Sequence, residues 1–68
     1  MVYGKKAKDY IQTEIKQLIQ ETEIDLQRFV ALMENKTGLK AKTISHVLNN
    51  MHLLKEIRIE EGIIRQAR

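Results

Sequence analysis

The sequence has no cysteine, which rules out disulfides and thiolate metal sites and leaves the redox compartment unmarked. Proline and tryptophan are also absent and only three glycines occur, so there is no collagen-like, proline-rich or linker-like stretch. The longest unbroken apolar run is the five residues Phe29 to Met33, too short for a membrane span. The opening Met1-Val2-Tyr3-Gly4-Lys5-Lys6 lacks the apolar core of a secretion signal, so a cytoplasmic location is expected. What remains is 43% hydrophobic and 31% charged, the balance of a folded domain and not of a disordered chain. At 68 residues there is room for one small domain with a thin core. Below about 70–80 residues such a core seldom supplies more than about 3–5 kcal/mol. A chain this short can barely wall a cleft, so a binding module is expected and an enzyme is not.

Charge is unevenly distributed. Lys5, Lys6 and Lys8 open the chain with no acid among residues 1–8. Residues 9–34 are acidic, with Asp9, Glu14, Glu21, Glu23, Asp25 and Glu34 against only Lys16 and Arg28. Residues 35–55 hold Lys36, Lys40, Lys42, Lys55 and both histidines, and no acid at all. A basic stretch within an otherwise acidic or neutral chain is the footprint expected of a polyanion-binding surface. A solvated helix face is the competing explanation, and charge alone does not decide between them.

Three helical patterns precede a strand pattern. Asp9, with Gln12 three residues on, is suited to cap a first helix whose apolar face runs Ile11, Ile15, Leu18, Ile19 and then Thr22. Residues 1–8 would then form a basic arm ahead of a domain over residues 9–68, with Tyr3 and Tyr10 beside the lysines. Ile24 stands alone before Asp25, a suitable cap for a second helix bearing Phe29, Val30 and Met33 on one face, with Thr22, three residues before Asp25, a competing cap. That helix should end at Gly38, where a left-handed residue is wanted. A third helix over residues 41–51 places Ile44, Val47, Leu48 and Met51 on one stripe. From Lys55 the period changes to two: Ile57 and Ile59 alternate with charged residues, and Ile63 and Ile64 follow Glu60-Glu61-Gly62. A three-residue loop with Gly62 left-handed avoids positive φ at Glu61, pairs Ile59 with Ile63 and puts Ile57, Ile59 and Ile63 on the helices. The expected class is therefore mainly α, three helices with a small C-terminal β-hairpin.

The order helix, helix, turn, helix, hairpin resembles the winged helix-turn-helix family. Thr37-Gly38-Leu39-Lys40-Ala41-Lys42-Thr43-Ile44-Ser45-His46-Val47-Leu48-Asn49 is similar to the turn and recognition helix of Lac-repressor-type regulators. In this reading Gly38 permits the turn, Leu39 plugs the interhelical angle, and Ile44 and Val47 hold the third helix to the second. Lys36, Lys40, Ala41, Lys42, Thr43, Ser45, His46 and Asn49 would face phosphates or base edges in the major groove of double-stranded DNA. Asn49 stands out because an amide can pair with adenine through two atoms. The sequence departs from the pattern twice. Glu34 occupies the position, four before the turn glycine, where a small residue usually lets the helices cross. Lys40 opens the third helix where a Ser or Thr cap is common, an arrangement that a phosphate at that helix end would favour.

Other chemistry is poorly supplied. His46 and His52 are six apart and fall on different helix faces, so no metal is expected, and nothing calls for a cofactor. Ser45 and His46 point about 100° apart and lack an orienting acid nearby, which argues against a nucleophile pair. The hairpin tip, Glu60-Glu61, would repel a duplex, so any backbone contact there falls to Arg58 and Arg65. Two functions remain: a DNA-binding transcriptional regulator, pairing as a homodimer to span two half-sites, or a winged-helix protein-interaction module of a transcription or replication complex that uses its acidic face.

Overall fold

In the computed structural model, which describes residues 4–67, the chain runs α1 (Gly4–Glu21), β1 (Ile24–Asp25), α2 (Leu26–Thr37), α3 (Ala41–Leu53), β2 (Ile57–Glu60) and β3 (Ile63–Gln66). Three helices carry a small antiparallel sheet in the order β1-β3-β2. None of the helices among the described residues is long and apolar enough to cross a membrane.

Helix α1 starts five residues before the expected cap. Ala7 is fully buried and extends the stripe of Ile11, Ile15 and Ile19 by one turn, so the helix gains core contact by beginning at Gly4. Asp9 is an exposed residue within the helix, and Lys6 and Lys8 ride on its first turns instead of in an arm. Met1, Val2 and Tyr3 of the expected arm lie outside the described residues. Thr22, expected on the buried face, is exposed beyond the helix end, where its N–H donates to Leu18 O at 3.1 Å.

Ile24, which looked isolated, begins the third strand. Ile24 pairs with Ile64 and Asp25 with Ile63, and the Leu26 N–H donates to Gly62 O at 2.8 Å. Asp25 then caps α2 as expected, its Oδ1 accepting the Arg28 N–H at 3.2 Å. The other end of α2 closes on Gly38, at φ 78, whose N–H donates to Glu34 O. Thr37 reinforces this end from within the core. Its hydroxyl donates to Met33 O at 2.7 Å and accepts the Leu39 N–H at 3.2 Å, satisfying a helix carbonyl and a turn amide together.

Helix α3 buries Ile44, Val47, Leu48 and Met51 against α1, α2 and β2. Phe29, Met33, Ile11 and Ile15 meet this stripe with no exposed surface, and Leu39 packs on the margin. The helix ends in a Schellman motif: the Glu56 N–H donates to Met51 O and the Lys55 N–H to His52 O. Lys55 holds the left-handed position at φ 63.

The β2–β3 connection differs from expectation. It has two residues, Glu61 at φ 51 and Gly62 at φ 76, with Glu60 opposite Ile63 and Ile59 opposite Ile64. Two consecutive positive φ values make a type I′ turn, whose twist matches the strands. Left-handed backbone at Glu61 costs about 1 kcal/mol, and the matched register offsets it. The shift by one residue puts Ile64, not Ile63, in the core beside Ile57, and it also aligns Ile64 with Ile24. His52, in the last turn of α3, accepts the Ile59 N–H on Nδ1 at 3.1 Å. That bond ties α3 to the edge strand and requires the proton of a neutral ring to be on Nε2.

A Cβ on Gly38 would meet nothing within 4 Å, so its left-handed φ alone constrains the position. Gly38→Ala is expected to destabilise the fold by about 1 kcal/mol, lowering the melting temperature by roughly 4–8 °C, whereas Gly38→Asn should lose less. Thermal melts followed by circular dichroism check this.

Candidate nucleic-acid interface

Residues 42, 46, 49 and 53 recur at three- and four-residue spacing on the side of α3 opposite its buried stripe. Lys42, His46, Asn49 and Leu53 are all exposed, so the face turned away from the core is polar for three of its four positions. Ala41 and Ser45 are exposed on the flank towards α2, and Thr43 is half-buried on the other flank. Lys40 stands at the N-terminal end in extended conformation, φ −76 and ψ 154, and its side chain makes no cap hydrogen bond. Lys36 is exposed in the last turn of α2. The structure thus gathers Lys36, Lys40 and Lys42 around the turn at Gly38 and sets Ser45, His46 and Asn49 along the adjoining helix.

None of these three lysines takes part in an ion pair among the described residues. Three other cations, Lys16, Arg58 and Arg65, are compensated, whereas Lys6, Lys8, Arg28 and Lys55 form no ion pair among the described residues. Lys16 lies 3.2 Å from Glu56, joining α1 to the α3–β2 connection. Arg58 donates to Glu60 Oε2 at 2.8 Å. Arg65 lies 2.9 Å from Glu23 through Nε and 3.7 Å from Glu60 through a terminal nitrogen. Its Nε is shielded from solvent yet makes no hydrogen bond, so the contact with Glu23 is an ion pair of poor alignment. Arg58 and Arg65 face one another across β2 and β3, and both of the positive charges expected to reach a duplex are committed to neighbouring carboxylates. Such half-exposed pairs add little stability, but they do cancel the local field.

Glu34 lies in the groove between α2 and α3, a cavity of about 440 Å³ that also touches Val30, Ala31, Ala41 and Ser45. Small side chains from both helices, Ala31 on one side and Ala41 and Ser45 on the other, make room where a single small residue was expected on α2. Glu34 can then remain exposed at the rim. Its carboxylate makes this flank unfavourable for a phosphate, which leaves the Lys40 and Lys42 side as the cationic approach.

Sequence reasoning missed Thr37, His52 and Gln66 as positioning residues. Gln66 donates from Nε2 to Ile19 O at 3.0 Å, fixing the end of β3 to the last turns of α1 across 47 residues of sequence. These partners are remote or lie across a turn, and no local pattern marks them. No group of three or more His, Cys, Asp or Glu side chains among the described residues is arranged to hold a metal ion.

The fold and surface define a class: a three-helix domain braced by a three-stranded antiparallel sheet, with one amphipathic helix presenting a polar, partly cationic face. Compared with protein-family models, curated proteins and solved structures, the chain has no significant match in any of the three.

The uncapped start of α3 has a direct consequence for stability. Lys40→Ser supplies a side-chain acceptor at an extended N-cap and removes a cation from the positive end of the helix. It is expected to raise stability by about 1 kcal/mol in a urea melt, with no change in the denaturant slope.

Proposed function

We propose that the chain is a winged helix-turn-helix DNA-binding protein that lays α3 in the major groove of double-stranded DNA and serves as a transcriptional regulator. The observation that carries this reading is the pairing of uncompensated Lys36, Lys40 and Lys42 with an adjoining outward row of Ser45, His46 and Asn49 on a helix pinned from behind. Support for the winged arrangement comes from the order helix, strand, helix, helix, strand, strand, in which the short strand after α1 joins the hairpin to form one sheet.

The residues divide by reach. Lys36, Lys40 and Lys42 contact phosphates and set the register. His46 and Asn49, near the middle of the exposed face, read base edges, with Asn49 suited to adenine. Ser45, Ala41 and Thr43 lie to either side and contribute closeness more than specificity. The hairpin stands off the duplex: Glu61 is exposed at its tip, and Arg58 and Arg65 are held by Glu60 and Glu23. A single module reads few base pairs, so two copies on adjacent half-sites account best for specific binding. Such a protein would be cytoplasmic and associated with the nucleoid when bound.

A second reading has its own observation. Leu53 and Leu54 are 68% and 70% exposed at the end of α3, which suits a protein surface as the partner, as in an interaction module of a transcription or replication complex.

Affinity for a duplex should fall linearly with salt on logarithmic axes. Lys40→Ala with Lys42→Ala should weaken binding to every sequence alike and flatten the slope by about 1.8, the share of two phosphate contacts. Asn49→Ala should relax preference at one base pair, costing about 1–3 kcal/mol there. Fluorescence anisotropy over a salt series reads all three. Unchanged affinity in the double lysine variant would overturn the DNA reading in favour of the protein-interaction one.

A further inference from the structure

The two interior helices end differently. Helix α2 has the residues that helix ends favour, Asp25 bonded to the Arg28 N–H at the start and Gly38 left-handed at the finish. Helix α3 has a lysine at both corresponding places: Lys40 at an unbonded N-cap and Lys55 at the left-handed position of its closing motif, φ 63. A glycine would meet the backbone requirement at Lys55 without strain. At Glu61 the hairpin register accounts for the same strain, and at Lys55 there is no strand register to do so, which points to a use for its side chain.

The surroundings of Lys55 leave its charge available. It is exposed, and it forms no ion pair among the described residues. The two charged side chains next to it along the connection are already engaged, Glu56 by Lys16 at 3.2 Å and Arg58 by Glu60 at 2.8 Å. Geometry supplies a target. At about 1.5 Å per residue, the 13-residue helix α3 is about 20 Å long. The major groove is about 12 Å wide, so a helix crossing it brings its two ends to opposite backbones.

We propose that Lys55 is a phosphate contact, gripping the strand opposite the one held by Lys40 and Lys42, so that α3 is clamped across the groove by cations at both ends. The proposal rests on the DNA-binding reading and adds to it a residue and a docking direction. Lys55 sets how the helix lies in the groove and carries no base preference.

The test uses the full chain with a mixed-sequence duplex, comparing Lys55→Gly, Lys55→Arg and the Lys40→Ala, Lys42→Ala double variant over a salt series, with thermal melts alongside. Lys55→Gly is expected to melt higher by a few degrees, because the strain is gone, yet to bind about five- to tenfold more weakly near 0.1 M salt. Its salt slope should be shallower by about 0.9. Lys55→Arg should keep the affinity, slope and melting temperature of the parent. If Lys55→Gly binds like the parent while the double variant loses affinity, the DNA reading stands and the clamp fails. If Lys55→Gly both melts lower and binds more weakly, Lys55 is a structural residue and the proposal is overturned. Absence of salt-dependent duplex binding by the parent chain sinks both.

Discussion

Everything in this fold depends on the burial of one face of α3. Ile44, Val47, Leu48 and Met51 pack onto α1, α2 and β2, so this helix touches both other helices and the sheet. In a domain this small the core has few residues to spare, and that stripe is a large part of it. The same burial fixes the rotation of the helix about its axis. With 3.6 residues per turn, placing 44, 47, 48 and 51 inward forces 42, 46, 49 and 53 outward. Stability and presentation of the polar face are therefore one constraint, and a residue of the inward stripe cannot be altered without loosening the aim of the outward one.

The sheet acts as a brace on that aim. Its strands come from two places in the chain, β1 from the α1–α2 connection and β2–β3 from after α3, so closing it ties the start of α2 to the segment that follows α3. Hydrogen bonds to the helices complete the brace: His52 accepts from Ile59 at one edge, and Gln66 donates to Ile19 at the other end of the hairpin. The charges of Arg58 and Arg65 on the hairpin are offset by Glu60 and by Glu23 beside it. A surface that neutralises itself has little pull on a polyanion, which is why the proposed interface is confined to α3 and its two ends.

Periodicity made the helices legible, and pairing at a distance was not. The stripes of α2 and α3 could be read because each repeats over three turns, and their boundaries at Asp25 and Gly38 could be read because cap chemistry is local. The start of α1 was misread because Asp9 offers an obvious cap while the competing signal is one alanine, whose burial depends on tertiary contact. The third strand was missed for the same reason: two residues, Ile24 and Asp25, have no period, and only their partners on β3 make them a strand. At the hairpin, avoiding positive φ at Glu61 was a sound local preference, but it was outweighed by turn twist and by the alignment of Ile64 with both Ile24 and Ile59. The exposed row of the candidate site follows from the helix period, whereas the neutralisation of Arg65 depends on Glu23, far away in sequence.

Placing local chemistry beside tertiary demand also separates what stabilises this protein from what it gives up. Thr37 spends its hydroxyl on the α2 terminus and the turn that follows, and Asp25 and Gly38 suit their backbone roles. The turn at Glu61 is strained, but that strain is compensated by the register it enforces. Lys40 and Lys55 show no such compensation among the described residues: one leaves a helix start without a side-chain cap, the other occupies a left-handed position, and neither enters an ion pair there. In the proposed reading, the two ends of α3 are where something outside the chain would complete the interactions. An anion at each end would do so, meeting the positive end of the helix dipole beside Lys40 and the exposed ammonium of Lys55. In the proposed docking these anions are phosphates on the two strands that flank the major groove.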